Sequence, residues 1–523
     1  MVLKPLNIKV DVLGYGPFAN IDNKEITPEQ LIAFSATMTY KDKSAKDIIA
    51  EVLKSEKNID EVATKSLRNS VRRGHASLST SAAMWCLFNG TSKYLDSLFT
   101  GAVFSSSLMP SSRRIPVNLE NIIAPDSIIN ADDATKKIYE EAASNNIKFY
   151  MEIENKSIPR EEAAKITQYG IAGGGFILLP LETILSAKNE FISQGKWTPK
   201  EAFDIIKRIE KKIGEIKADT LYKYREEADK STYPHLNIFK EPDQYSEVEE
   251  NRLKYGPSIK PSVQLKYFDD HVGLENKLKK LYSLKEEITQ SPEIVRQRVK
   301  ELLIARNKIL SNYINPLTIS SLSNPSWRVW GEVKRHRTLK QSVGSIYTSV
   351  ERSYEKINNY RNEIKNGDLS EVLIKEVDSV FMIPKSFLKN GNSQLLQKYM
   401  QLFMESLDAY NTLVSRGIPE SDALALIPRG IRCNVYKTFD LYNLLEGYIP
   451  LRCCSTAESE MREITEMEIA EIKKVLPEYI TKHLGPKCAG VGHCLEPKVC
   501  SELKVQNYIG YKYDGEVHRN YFS

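Results

Sequence analysis

The stretch Trp327-Arg328-Val329-Trp330-Gly331-Glu332-Val333-Lys334-Arg335-His336-Arg337-Thr338-Leu339-Lys340-Gln341-Ser342-Val343-Gly344-Ser345 decides how this 523-residue chain is read. Its first part, Trp327 to Lys334, predicts a helix, and Arg335-His336-Arg337 stands at the end of that helix. Three adjacent hydrogen-bond donors, two of them permanently cationic, suit a phosphate or an electron-rich ring. Basic residues at a helix C-terminus also complement the helix dipole, so the same tripeptide reads equally as a solvated helix end.

Outward from this stretch the chain divides nearly in half. Phe239 to Pro261 is polar and charged and carries Pro242, Gly256, Pro257 and Pro261, the composition of a linker or long surface loop. The halves repeat. Ile158-Pro159 aligns with Ile418-Pro419, Glu162-Ala163 with Asp422-Ala423 and Gly170-Ile171 with Gly430-Ile431, all at one offset; Ala124-Pro125 aligns with Ile383-Pro384 at an offset one residue shorter. Copies of a duplicated unit commonly sit about a two-fold axis.

Helix signals dominate. Thr27-Pro28-Glu29-Gln30 and Thr198-Pro199-Lys200-Glu201 read as capping boxes with proline at the first helical position. Ser291-Pro292-Glu293 starts another helix, and a long one is expected from Ala457, with Met461, Ile464, Ile472 and Leu476 on one side. Strands are expected at Ile8–Leu13, Ala82–Phe88 and Val263–Phe268. Gly173-Gly174-Gly175 lacks the Lys-Ser/Thr of a phosphate loop and reads as a turn or close-packing segment. The fold class is α+β: two fused units, 1–245 and 246–523, each a mixed β-sheet flanked by helices.

Composition excludes several classes. Lys plus Arg number 73 against 68 acidic residues, a net charge of +5, too mild a balance to argue for nucleic acid but compatible with an anionic small molecule. Met1-Val2-Leu3-Lys4-Pro5-Leu6 has no signal-peptide character, and no apolar run reaches membrane-spanning length. A soluble, cytoplasmic protein is expected. The 7 cysteines do not form a secreted disulfide framework. Cys453, Cys454, Cys488, Cys494 and Cys500 cluster near the C-terminus without the Cys-x-x-Cys knuckle of familiar zinc sites, so they are weak metal candidates, with buried thiols or a redox-dependent disulfide as the alternative.

Arg335-His336-Arg337 followed by Ser345 resembles the signature of the flavin-dependent thymidylate synthase (ThyX) family, Arg-His-Arg, seven residues, then Ser-x-Arg. Downstream, Leu451-Arg452 and Ala457-Glu458-Ser459-Glu460-Met461 are similar to the family's Leu-Arg and Ala-Gln-x-Glu-Ile. The resemblance implies that Arg335, His336 and Arg337 contact the flavin, that Ser345 contacts the nucleotide phosphate, and that Arg452 is the catalytic arginine touching the pyrimidine nucleotide. Asp440 stands where the family has a flavin-contacting asparagine. Tyr347 and Leu424 stand where the family has nucleotide-binding arginines. In the first half, Gly74-His75-Ala76-Ser77 resembles the Gly-His-Glu-Ser/Thr turn that touches the flavin, which assigns His75 and Ser77 to the cofactor. Arg-His-Arg is replaced there by Gly101-Ala102-Val103, yet Ser111-Ser112-Arg113 keeps the Ser-x-Arg spacing and assigns Ser111 and Arg113 to substrate; Ser112-Arg113-Arg114 is the other register. Each half retains pieces the other lacks, either as decay of one copy or as one composite site.

The resemblance implies reductive methylation of dUMP to dTMP, with FAD as cofactor and NADPH and methylenetetrahydrofolate as co-substrates. Family enzymes are tetramers of single units, so a fused pair implies a homodimer acting as a pseudo-tetramer. Methylation of another uridine nucleotide, and a non-catalytic flavin- or nucleotide-binding paralogue, are the alternatives.

Overall fold

Thr27 opens the first helix by a reciprocal cap. Its side chain accepts from the Gln30 N–H, the Gln30 side chain accepts from the Thr27 N–H, and Pro28 occupies the first turn. This helix, α1 (Pro28–Met38), follows strand β1 (Lys9–Gly16). Next come α2 (Ile59–Val71), β2 (Ala83–Ser92), α3 (Tyr94–Phe99), β3 (Ser106–Leu108), α4 (Asp133–Glu154), β4 (Ala172–Pro180), α5 (Leu181–Gln194) and α6 (Lys200–Glu215). The second half supplies β5 (Ser262–Phe268), α7 (Val272–Gln290), β6 (Leu317–Ser323), α8 (Trp327–Val333), β7 (Lys340–Val343), α9 (Ile346–Asn359), α10 (Ser393–Ser415), β8 (Val435–Phe439) and α11 (Ser459–Val475). This computed structural model describes residues 3–488 apart from 56, 73, 112, 155, 157, 229, 243–259, 270–271, 291–294, 314 and 390. The expected helix start at Ser291-Pro292-Glu293 lies outside the described residues.

The chain forms two compact units. One comprises Met1–Asp243, Ser345–Ser370 and Lys385–Ile431; the other comprises Gln244–Gly344, Glu371–Pro384 and Arg432–Ser523. In the first unit, four antiparallel strands run in the order β1-β2-β4-β3. Alternation puts Val10, Met84, Cys86, Phe88, Ile177 and Leu179 into the core. Helix α6 covers that core with Ile205, Ile206, Ile209 and Ile213, a stripe at helical spacing. In the second unit the order is β5-β6-β8-β7, again antiparallel. Both sheets therefore place their strands, taken in chain order, as first-second-fourth-third.

Helices α4 and α10 lie together in the first unit, where the Asn146 amide donates to Ser406 Oγ at 3.0 Å, a pair separated by 260 residues. Other contacts there come in reciprocal pairs. Gly170 N–H donates to the Ala425 carbonyl, and Gly430 N–H to the Lys165 carbonyl, both at 2.7 Å. Ser127 Oγ donates to Asp422 at 2.6 Å, and Ser386 Oγ to Glu162 at 2.5 Å.

Three local expectations need correction. Thr198 does not cap α6: its hydroxyl donates to the Phe191 carbonyl, and Glu201 turns inward to accept from the Ser92 N–H and hydroxyl. The late helix begins at Ser459 rather than Ala457, with Met461, Ile464 and Ile472 buried as expected. Gly173-Gly174-Gly175 is no turn but part of β4, where the close-packing reading is right: a Cβ on Gly173 would stand 2.1 Å from the Ser92 carbonyl oxygen, and Gly174 holds φ +145 against the Phe88 carbonyl.

Candidate functional site

Helix α8 exists because Ser326 caps it and two tryptophans anchor it. Ser326 Oγ accepts from the Val329 N–H, while its own N–H and hydroxyl donate to the two oxygens of the buried Glu460 carboxylate at 2.6 and 2.7 Å. Trp327, Trp330 and Val333 are fully buried. The helix stops at Lys334, whose ammonium lies 4.5 Å from the Trp330 ring. Two turns, His336 N–H to the Val333 carbonyl and Leu339 N–H to the His336 carbonyl, then carry Arg335-His336-Arg337 onto β7.

His336 faces inward. Its Nδ1 meets the Gly447 carbonyl at 2.9 Å and its Nε2 meets Arg452 Nε at 2.5 Å. A carbonyl only accepts and a guanidinium only donates, so the proton is assigned to Nδ1 and the lone pair to Nε2. Burial, then the Arg452 charge, lowers the His336 pKa to about 3. Both ring nitrogens are hydrogen-bonded within the protein. Arg452 is held on its other edge by Glu332, through Oε2 at 2.9 Å and the backbone carbonyl at 3.2 Å. Beneath, the Tyr448 ring meets the imidazole edge-on at 5.0 Å, and its hydroxyl accepts from Lys437 Nζ at 3.1 Å. Lys437 pairs with Glu468 at 2.5 Å, both fully buried, and Ser321 Oγ donates to the same carboxylate.

The turn after β8 closes the arrangement. Asp440 Oδ1 accepts from the backbone and side-chain N–H of Asn443, and the Asn443 amide also donates to the Thr338 carbonyl. Asp440 thus braces a turn. The segment Asn443–Gly447 is one turn of π-helix, a conformation that recurs at functional sites. Two buried polar atoms at this turn have no hydrogen-bond partner: Arg335 Nε and Gln341 Oε1. Gln341 donates its amide to the Val333 and His336 carbonyls, so its orphaned oxygen lies against the Arg335–Arg337 turn. A buried donor and acceptor left unmade, beside two arginines, fit a group that both accepts and donates hydrogen bonds and carries negative charge, as the edge of a reduced flavin ring does.

The unit therefore brings together Arg335, His336, Arg337, Asp440 and Arg452. The other expected residues belong to the first unit. Ser345 is buried; its hydroxyl donates to the Lys240 carbonyl and accepts from the Tyr347 N–H as the cap of α9. Tyr347 is buried, its hydroxyl donating to the Trp197 carbonyl at 2.5 Å, and Leu424 is fully buried. His75 and Ser77 are exposed at the start of a short helix, Ala76–Ser81, behind Gly74 at φ +82. Ser111 Oγ accepts from the Arg113 N–H, and Arg113 Nε lies 2.8 Å from Glu161. Arg160 reaches the Arg114 carbonyl on the same loop.

Cys453 and Cys454 are buried. Burial first, and the Cys454 thiol second, push the Cys453 pKa up to about 12, which keeps that sulfur a thiol. No group of three metal-ligating side chains occurs among the described residues; Cys494 and Cys500 lie outside them. Sequence reasoning missed Glu332, Asn443, Lys437 with Glu468, and the Ser326–Glu460 cap. Glu332 carried one signal, an acidic residue one turn before the basic tripeptide.

Comparison with known proteins bears on the same segment. Residues 320–478 match the family model described as thymidylate synthase complementing protein. The flavin-dependent thymidylate synthase of Thermococcus onnurineus is 27% identical over 164 residues, covering 31% of this chain and 59% of that protein. The enzyme of that name from Saccharolobus solfataricus is 34% identical over 125 residues, covering 23% of this chain and 45% of the relative. The chain thus spans about half the length of the relatives it matches. Among solved structures, the UMP/dUMP methylase PolB from Streptomyces cacaoi aligns with a TM-score of 0.32 at 10% identity, covering 44% of this chain and 100% of that one. Thymidylate Synthase X from Helicobacter pylori, solved with FAD and dUMP, aligns with a TM-score of 0.26 at 15% identity, covering 44% and 99%.

Proposed function

We propose, from the premise that this chain is a member of the flavin-dependent thymidylate synthase family through residues 320–478, that it reductively methylates dUMP to dTMP. The observation that carries this reading is the Arg335-His336-Arg337 turn locked to Arg452 through His336, with orphaned hydrogen-bonding atoms at Arg335 and Gln341. FAD, when bound, would relay hydride from NADPH, while methylenetetrahydrofolate gives up its methylene and leaves as tetrahydrofolate. Arg335 and Arg337 would hold the flavin and balance its reduced, anionic form. Arg452, fixed from two sides, would meet the nucleotide. Such a reaction needs positioning and anion stabilisation, not a protein nucleophile, which agrees with a Cys453 that is buried and held as a thiol.

The chain reads further as two fused copies, 1–245 and 246–523. Identical strand order, the Ser92–Glu201 and Ser326–Glu460 contacts, and the reciprocal Gly170/Gly430 and Ser127/Ser386 contacts support the duplication. The soluble, cytoplasmic chain would associate once more, as a homodimer equivalent to four single units. His75 and Ser77 are read as flavin contacts and Ser111 and Arg113 as phosphate contacts carried by the first copy, while Tyr347 and Leu424 leave the second copy short of two arginines. That shortage also favours a second reading, methylation of a different uridine nucleotide.

The test is direct. The purified chain should be yellow, and its NADPH oxidation should depend on dUMP and methylenetetrahydrofolate and yield dTMP. Dependence on UMP instead would establish the second reading, and a colourless protein without turnover would leave a non-catalytic paralogue. Arg335→Ala with Arg337→Ala removes two charge-assisted contacts and should lower flavin affinity at least about tenfold. Arg113→Ala and Arg114→Ala should raise the KM for dUMP about tenfold or more and leave FAD bound; unchanged dUMP kinetics in both would make the first copy a scaffold.

A further inference from the structure

Glu332 is the residue whose chemistry the family assignment does not explain. It sits on the last turn of α8, half-buried, and grips Arg452 twice, by Oε2 to one terminal nitrogen at 2.9 Å and by its backbone carbonyl to the other at 3.2 Å. The third edge of the same guanidinium, Nε, ends on His336. His336 in turn is oriented by the Gly447 carbonyl and by the Tyr448 ring. A long arginine side chain has considerable rotamer entropy to lose on being fixed. Here two side chains and one backbone carbonyl meet that loss before any ligand arrives, and the carboxylate offsets the desolvation of a half-buried cation.

We propose that Glu332 is a positioning residue that acts on the nucleotide only through Arg452, with His336 as the second jaw of the clamp. This rests on the reading that Arg452 meets the nucleotide. Glu332 does not touch substrate or flavin in this scheme. It sets the plane of the guanidinium and holds it in place while His336, locked neutral, supplies a lone pair rather than a proton.

A double-mutant cycle on the full, FAD-loaded chain tests it, with dUMP affinity read by flavin fluorescence and kcat and KM read separately. Arg452→Ala should weaken dUMP binding at least about tenfold. Glu332→Ala should weaken it by about 3- to 10-fold. The double variant should be no worse than Arg452→Ala alone. Glu332→Gln, which keeps an acceptor at the same length, should recover part of the loss, a recovery that a merely structural lesion would not show. Added guanidinium chloride at low millimolar concentration should restore part of the dUMP affinity of Arg452→Ala but not of the double variant. Flavin content, unchanged across the set, reports intact folding. If Glu332→Ala binds dUMP like the parent, or if its effect adds to that of Arg452→Ala, the clamp is overturned while the nucleotide role of Arg452 stands. If Arg452→Ala itself binds dUMP normally, the nucleotide reading fails first and the clamp with it.

Discussion

At the scale of single residues, the imidazole of His336 shows what sequence could and could not tell. The tripeptide that holds it was legible because its spacing to Ser345 is local. Its partners are not local: Arg452 stands 116 residues away and Gly447 111. Sequence pattern does not announce contacts of that range, so the reading of His336 as a cofactor contact carries no hint that its Nε2 is also the buried acceptor of Arg452. Its pKa of about 3 lies well under the ordinary value of 6.5, so it stays neutral across the working range of pH. The expected result is that the His336 ring resonances do not shift between pH 8 and pH 5, and that dUMP affinity shows no inflection assignable to it. Movement of those resonances near pH 6.5 would mean that the Arg452 contact is absent in solution. Ser345 gives the complementary expectation: Ser345→Ala should lose a helix cap, about 1 kcal/mol of stability, with flavin binding unchanged.

At the scale of elements, strands and helices were readable where the pattern is strong. The three expected strands are found as Lys9–Gly16, Ala83–Ser92 and Ser262–Phe268. The failures occur where a long-range contact outcompetes a local one, as when Glu201 leaves its own helix end for Ser92. Glu460 makes the same choice with Ser326 in the other unit, so α8 is pinned to α11 by one carboxylate. Ser326→Ala should leave the buried Glu460 with fewer partners and cost about 1–3 kcal/mol, seen as a lower denaturation midpoint. The Lys437–Glu468 pair between β8 and α11 should behave more sharply. Lys437→Met strands a fully buried carboxylate and should cost about 3–5 kcal/mol, and a second change, Glu468→Leu, should recover much of it. If the double variant is no more stable than the single, the pair is not an isolated couple.

At the scale of the whole molecule, the two units carry buried titratable groups of opposite kind. In the first, burial raises Glu29 and Glu201 from 4.5 to about 7. Their folded pKa exceeds the unfolded one, so the stability they contribute is full below pH 4.5 and drains as pH rises toward 7. In the second, burial lowers His336 and His483 from 6.5 to about 3 and about 4. Their contribution is full above pH 6.5 and drains as pH falls. Each proton is worth up to about 1.4 kcal/mol per pH unit within its window. Acidification from pH 7 to pH 5 should therefore raise amide-exchange protection in the first unit and lower it in the second, after correction for intrinsic rates. A change of one sign in both units would refute the assignment. None of this was legible from composition, because a near-neutral total hides which charges are buried.

The first unit takes residues 385–431, including helix α10, from beyond the segment 244–344 that belongs to its neighbour. A ribosome builds the chain from one end. At roughly 5–20 residues per second, the partner helix of α4 emerges on the order of 10–40 s after Asp243. For that interval the nascent first unit must wait with the face of Asn146 and Phe149, which meets Ser406 and Tyr399 in the finished protein, not yet in its final packing. Its folding is vectorially incomplete until most of the second half has been made, so chaperone occupancy on ribosome-bound chains should peak before residue 393 is synthesised and fall once residue 431 has cleared the exit.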